Sequence, residues 1–333
     1  MMFANATNTE RAMKAIMNAK YGLADLLELR DIDAPVLDDD SVLVRVRAAS
    51  VNALEWHIMR GLPHLVRMTE GLRKPKRNVL GVDVAGQIEV VGKHVTQLQP
   101  GDEVFGWSRG AFAEYVCGGE HNFVPKPAAL TFEQAAAIPL AATTALQALR
   151  DVGQLQPGQR VLINGAAGGV GTFAVQIAKA LGADVTGVCS TRNVEMIRSI
   201  GAEQAIDYSQ EDFTQSGRRY DLILDIAANR SLSEYRRVLG SKGILALVGA
   251  PQGQWVGPLA RPLAALVWSR FMSQRMRPVL ATFIKADLLV LKELIDAGSV
   301  TPVIDRSYPL SETADAIRYL EAGHARGKVV ITA

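Results

Sequence analysis

Between the apolar run Arg160-Val161-Leu162-Ile163 and a long helical pattern stands Gly165-Ala166-Ala167-Gly168-Gly169-Val170-Gly171, a glycine-rich turn where a strand passes into a helix. Backbone without side chains lets a bulky anion approach closely, and the following helix turns its free amides and positive dipole end toward that anion. The segment therefore predicts a cradle for a dinucleotide pyrophosphate, built from Gly165, Ala167, Gly168, Gly169, Val170 and Gly171. Gly168 and Gly171 are best suited to close approach. Apolar residues recur at Val170, Phe173, Ala174, Ile177, Ala178 and Leu181, and Gly182 is placed to end the helix. Strand candidates follow at residues 184–189, 205–206, 220–225 and 243–248. Helix-length segments separate them, the rhythm of repeated βαβ crossovers in a doubly wound parallel sheet.

The end of the second strand candidate selects the nucleotide. A site for NAD usually places Asp or Glu there to accept the ribose hydroxyls, whereas this chain has Cys189-Ser190-Thr191-Arg192-Asn193. Arg192 supplies a charge-assisted contact to a 2′-phosphate, and the hydroxyls of Ser190 and Thr191 donate to its oxygens, so NADPH is the expected cofactor.

With 333 residues, 48% of them hydrophobic, the chain is long enough for two cores. Its net charge of +2 gives no basis for expecting nucleic acid as a partner. The basic run Arg73, Lys74, Lys76 and Arg77 is short, interrupted by Pro75, and reads as a solvated loop. The two cysteines, Cys117 and Cys189, form neither a CxxC nor a disulfide framework, which suits a reducing, cytoplasmic setting. The first twelve residues are polar, without the apolar core of a signal peptide, and are expected to be a loose tail. Residues 255–280 are broken by Pro258, Arg261, Pro262, Arg270, Arg275, Arg277 and Pro278, so no membrane span is expected. Leu259, Leu263, Leu266, Val267, Trp268, Phe271 and Met272 are instead expected to cover a substrate pocket or a subunit contact.

Upstream, short alternating runs such as Val42-Leu43-Val44-Arg45-Val46 are punctuated by Pro100-Gly101-Asp102 and Gly118-Gly119, a mostly antiparallel β pattern. Residues 287–295 read as a helix closed by Gly298, and Gly327-Lys328-Val329-Val330-Ile331 as a strand returning to the first unit. The organisation predicted is a tail over residues 1–12, a β unit made of residues 13–129 plus 275–333, and a dinucleotide-binding domain over residues 130–274 inserted into it.

Several segments carry a resemblance that spans nearly the whole chain: Ala49-Ser50-Val51-Asn52, residues 80–86, Pro100-Gly101-Asp102-Glu103-Val104, Gly110-Ala111-Phe112-Ala113-Glu114-Tyr115, the glycine loop with Gln176-Ile177-Ala178-Lys179, and Gly327-Lys328-Val329-Val330. In their order and spacing the chain resembles the medium-chain dehydrogenase/reductase superfamily, and within it the zinc-independent quinone oxidoreductase, or zeta-crystallin-like, branch. The resemblance implies a Rossmann domain inserted in a GroES-like β domain, and a homodimer joined through the nucleotide-domain sheet. The zinc alcohol dehydrogenases of that superfamily carry a Cys and a His-Glu pair where this chain has Ser50-Val51-Asn52-Ala53 and Val82-Asp83, and two cysteines cannot make the four-cysteine lobe, so no metal is expected. His57, His64, His94, His121 and His324 show no ligand spacing.

By the same resemblance, Asn52 matches an Asn beside nicotinamide and substrate, where its amide would hydrogen-bond a carbonyl oxygen as charge develops; its other reading is a turn-former. Glu55 stands where the family often has Asp. Thr144 matches a Thr near the nicotinamide, although capping a following helix is an alternative. Tyr208 matches a Tyr by the adenosine 2′-phosphate, Val248 and Gly249 end the strand beside the nicotinamide, and Lys328 resembles a Lys that reaches the cofactor in some members, with a plain edge-strand lysine as the alternative. Trp56 and Trp107 lie in segments facing the cleft and are the substrate-pocket candidates. Reduction of a quinone or an α,β-unsaturated carbonyl by NADPH is the activity implied, because such acceptors take hydride at an activated carbon without a Lewis acid. Two alternatives remain, an NADPH-binding redox sensor or RNA-binding module with little turnover, and a zinc-free NADP-dependent alcohol dehydrogenase. No residue type here identifies the proton donor.

Overall fold

The computed structural model describes residues 11–76, 78–249 and 273–333. The apolar segment 259–272, most of the N-terminal tail and Arg77 lie outside them.

Alternating sequence gives strands and a 3.6-residue period gives helices, and a two-stranded hairpin and two larger sheets result. A hairpin of β1 (Ala12–Met17) and β2 (Glu28–Asp33) opens the described chain, so Ala12 is paired strand rather than tail. Next come β3 (Ser41–Val51), α1 (Ala53–Arg60), α2 (Val66–Glu70), β4 (Asp83–Val91), β5 (Glu103–Trp107), β6 (Tyr115–Gly119) and β7 (Phe123–Pro125). With β14 (Ile304–Pro309) and β15 (Lys328–Thr332) these strands form a seven-stranded sheet, ordered β14-β15-β3-β4-β5-β7 with β6 beside β3. Except for the parallel β14–β15 pair, its ladders are antiparallel. The expected return of the C-terminal strand is therefore present, pairing Val329 with Val51 and Val330 with Ser50.

Helices α3 (Phe132–Ala136) and α4 (Pro139–Gln147) lead into the second sheet. It contains β8 (Arg160–Asn164), β9 (Asp184–Cys189), β10 (Gln204–Asp207), β11 (Tyr220–Asp225), β12 (Leu239–Leu247) and β13 (Arg275–Pro278). Every ladder is parallel and the order is β10-β9-β8-β11-β12-β13, the doubly wound arrangement whose direction of winding reverses between β8 and β11. Because Arg275–Pro278 pairs along β12, the sheet extends past residue 274, where the sequence pattern had placed its end. Helix α5 (Gly169–Ala180) packs Phe173, Ala174, Ile177 and Ala178 against the sheet, each fully buried, and Gly182 at φ +80° turns the chain out of it.

The two larger sheets share an apolar core, and specific polar contacts join them as well. Gly168 bridges to Gly327, and the Gly327 N–H donates to the Ala167 carbonyl at 2.9 Å. Gln176 of α5 exchanges hydrogen bonds with the Thr301 backbone at 3.0 and 2.8 Å, and Gln147 of α4 donates to buried Asp287 at 2.7 Å. These contacts fix the glycine turn against the C-terminal strand. Among the described residues no helix is long and apolar enough to cross a membrane.

Candidate active site

At the reversal between β8 and β11 a cleft of about 330 Å³ opens at the carboxyl ends of the strands, where doubly wound sheets bind ligands. Gly165, Ala167, Gly168, Ser190, Arg192 and Tyr208 line it. The glycines divide the work. Gly171 is required by packing, since a Cβ there would lie 2.2 Å from the Gly165 carbonyl oxygen. Gly168, the residue before α5, faces open space: its Cβ would meet only that carbonyl, at 3.6 Å. A group seated against Gly168 would face the unpaired amides of the first turn of α5. Gly169, Val170 and Gly171 lie within that turn rather than on the cleft wall.

The end of the cleft where the adenosine is expected is lined by three segments. Arg192 lies on an exposed turn, its guanidinium donating to the His324 carbonyl at 2.9 Å, and Tyr208 stands half exposed beside it. Ser190 accepts from the Asn193 amide at 3.1 Å. Thr191 is turned away from the cleft, its hydroxyl 3.1 Å from that of Ser209. A carboxylate also stands nearby, at the end of the third strand rather than the second. Asp207 accepts from the Ser209 backbone and hydroxyl at 3.0 and 2.8 Å, and hydrogen bonds led by the Thr191 hydroxyl hold its carboxyl below the usual range. Asn164, Asn229 and residues 323–325 also line the cleft and carried no sequence signal for it. Val248 and Gly249 both donate backbone N–H bonds to the Asp225 carbonyl at 2.9 Å, where β12 ends.

From the glycine turn a lysine leads to the second half of the site. Lys328 is 2% exposed and sits on β15, an interior strand between β14 and β3, so the edge-strand alternative does not hold. Its stem packs on Gly169, where a Cβ would come within 2.9 Å of Cδ. Its ammonium reaches the Asn52 side-chain carbonyl and the Val51 carbonyl, and lies 3.6 Å from Asp83. Asp83 accepts from Ser50 Oγ at 2.8 Å, Asn52 Nδ2 at 3.0 Å and the Leu140 N–H at 2.9 Å. Burial pushes the Asp83 carboxyl up and the Lys328 amine down, while their mutual attraction opposes both. Asn52 is thereby committed at both ends of its amide, with a further donation to the Ser50 carbonyl at 3.3 Å. It orients Lys328 and Asp83 instead of offering a free donor to substrate. Thr144, the sixth residue of α4, is no cap; its hydroxyl donates to the Leu140 carbonyl at 2.7 Å.

Beside this cluster lies a mostly apolar cavity of about 400 Å³. Trp107 forms part of its wall, stacked on Phe283 at 5.0 Å between ring centres, with its indole N–H on Asn122 Oδ1 at 3.2 Å. Trp56 is not on the wall. Leu54, Glu55 and Ile58 of α1 turn toward the cavity, which directs Trp56 to another face of that helix, stacked on His57 at 3.7 Å. Glu55 is fully buried: its Oε2 accepts the Asn52 backbone N–H at 2.7 Å, while Oε1 has no hydrogen-bond partner among the described residues. Burial, then the charge of Asp83, raises its carboxyl to about 8.

A doubly wound sheet with an open glycine before a helix N-terminus is the class of fold that binds dinucleotides. Two families match in sequence, "Alcohol dehydrogenase GroES-like domain" over residues 38–128 and "Zinc-binding dehydrogenase" over residues 200–331. The mouse protein named NAD(P)H oxidoreductase RTN4IP1, mitochondrial, is 33% identical over 97% of this chain and 91% of its own. The Arabidopsis thaliana NADPH-dependent alkenal/one oxidoreductase, chloroplastic, is 32% identical over 96% of this chain and 80% of its own. A solved quinone oxidoreductase from Coxiella burnetii superposes with a TM-score of 0.86 at 30% identity, covering 97% of this chain and all of that one. The chain belongs to the medium-chain dehydrogenase/reductase superfamily and is an oxidoreductase.

The zinc in the second family's description does not fit these residues. The segments that would carry the ligands hold Ser50-Val51-Asn52-Ala53 and Val82-Asp83, the Ser50 hydroxyl is spent on Asp83, and the Lys328 ammonium lies 3.6 Å from that carboxyl group. Among the described residues no three His, Cys, Asp or Glu side chains gather to hold a metal. A nicotinamide dinucleotide does fit, on the open face of Gly168 and the amides behind it.

Proposed function

We propose that this protein reduces conjugated carbonyl compounds, quinones or α,β-unsaturated aldehydes and ketones, with NADPH preferred to NADH. Lys328, whose stem packs on Gly169 beside the glycine turn and whose ammonium is hydrogen-bonded to Asn52, links the nucleotide cleft to the Glu55 side of the apolar cavity, and this arrangement supports the reading. When bound, the nicotinamide supplies a hydride. The chain's own contribution is positional. Amides at the start of α5 hold the pyrophosphate, Arg192 and Tyr208 flank the 2′-phosphate, and Trp107 with Phe283 offers a flat surface to the acceptor. The names of the Arabidopsis and Coxiella relatives accord with such acceptors.

The test is NADPH oxidation by chelator-treated protein against a panel of quinones, enals, enones and secondary ketones. Acceptor-dependent oxidation by the first three is expected, and turnover confined to the ketones, or absent while NADPH binds, would overturn the reading. A homodimer across β13, the edge strand of the parallel sheet among the described residues, and a cytoplasmic location belong to the same proposal, and light scattering of the purified protein tests the first.

A further inference from the structure

The array around Lys328 leaves one chemical group unused. Every polar atom of Asn52, Asp83 and Ser50 named above is engaged, yet Glu55, which lines the acceptor cavity, keeps one buried oxygen, Oε1, without a partner among the described residues. A buried carboxylate oxygen with no donor is costly, whereas a carboxylic acid at the same place holds an O–H ready for an acceptor that enters the cavity. The other oxygen is fixed by the Asn52 backbone N–H at 2.7 Å, so the group cannot swing away to seek another partner without losing that bond. The surrounding charges are Asp83 on β4, which opposes ionisation, Lys328 on β15, which favours it, and across the cavity Glu70, which is paired with Arg109 at 2.9 Å.

Resting on the reductase reading above, we propose that Glu55 is the proton donor of this site. In reduction of an enone the β-carbon gains hydride, the two electrons coming from NADPH, and the conjugated π electrons move onto the carbonyl oxygen. That oxygen forms a bond to the proton of the Glu55 carboxyl as the acid's O–H bond breaks. The resulting enol relaxes to the saturated ketone in water, and a proton from solvent restores the acid. A quinone takes its first proton in the same way.

Two measurements on the full-length protein test this. In the NADPH-free protein at neutral pH, infrared difference spectra between wild type and Glu55→Gln should contain the carbonyl band of a protonated carboxylic acid, lost from the wild type as pH rises through about 8. In turnover with an enone, Glu55→Gln should lose about 100-fold, the lower range for a positioned acid, with NADPH affinity unchanged and part of the rate restored in Glu55→Asp. Wild-type turnover should fall above about pH 8 and that of Glu55→Gln should not. Absence of the band, or full turnover in Glu55→Gln, overturns the donor role. Failure of the reductase reading has a different signature: wild type binds NADPH and oxidises no acceptor, and the donor role falls with it whatever the band shows.

Discussion

The two ends of the active site are built by opposite means. The cofactor end is built around backbone, the glycine turn, the helix amides and the strand termini, and is open to solvent. The acceptor end is side chain: Asn52, Glu55, Asp83 and Lys328 are each 8% exposed or less and hold one another by hydrogen bonds and charge. Asn52 and Lys328 are 276 positions apart in the chain. The first end tolerates exposure because its ligand brings the charge, whereas the second must balance its charges internally because they are buried.

The contrast is most severely tested at Lys328. Its replacement in Lys328→Met leaves Asp83 buried without a cation and should cost about 3–5 kcal/mol of folding stability, measured by denaturant unfolding. Adding Asp83→Asn should restore much of it, and a small loss in the single variant would mean that the cluster is not electrostatically closed. At the other end, Arg192→Ala should weaken NADPH binding by about 1.5–3 kcal/mol and leave NADH nearly unchanged by fluorescence titration, with no loss of stability, because Arg192 is exposed. Equal losses for both nucleotides would remove the 2′-phosphate assignment.

Within the glycine turn the same division recurs on a smaller scale. Gly171→Ala drives a Cβ into the Gly165 carbonyl and should destabilise the fold by about 1–3 kcal/mol. Gly168→Ala meets no close atom, so thermal unfolding should stay unchanged while nucleotide affinity falls. The effect of pH on stability through Glu55 is spread over several pH units. Its carboxyl titrates near 8 in the folded chain and near the ordinary 4.5 when unfolded, so between these values the native state binds the extra proton. Stability from this group therefore declines as pH rises through that window, by at most about 1.4 kcal/mol per pH unit. Glu55→Gln should flatten that slope in urea titrations.

Reading along the chain went furthest where structure is local. The turn at residues 165–171, the stripe on α5 and the strand spacing each follow from neighbours a few positions apart, and the parallel sheet forms where they indicate. Periodicity likewise placed the antiparallel unit and the returning strand. It did not place β13 in the parallel sheet, because four residues rich in arginine beside a proline carry no alternating pattern. Trp56 and Trp107 looked equivalent as aromatic residues in cleft-facing segments. Only the rotation of α1 set one against His57 and left the other on the cavity wall. Thr191 and Asp207 met through the pairing of β9 with β10, and no spacing in the sequence predicted it.

The sequence by itself thus determined the nucleotide cradle and the order of the elements, since backbone conformation at glycine and the burial of a periodic stripe depend on adjacent residues. Tertiary structure alone decided the acceptor end. Whether Glu55 holds a proton, whether Lys328 is an exposed edge residue or the buried partner of Asp83, and whether the Asn52 amide is free all depend on which distant side chains share a space without water, where Coulombic and desolvation energies are large.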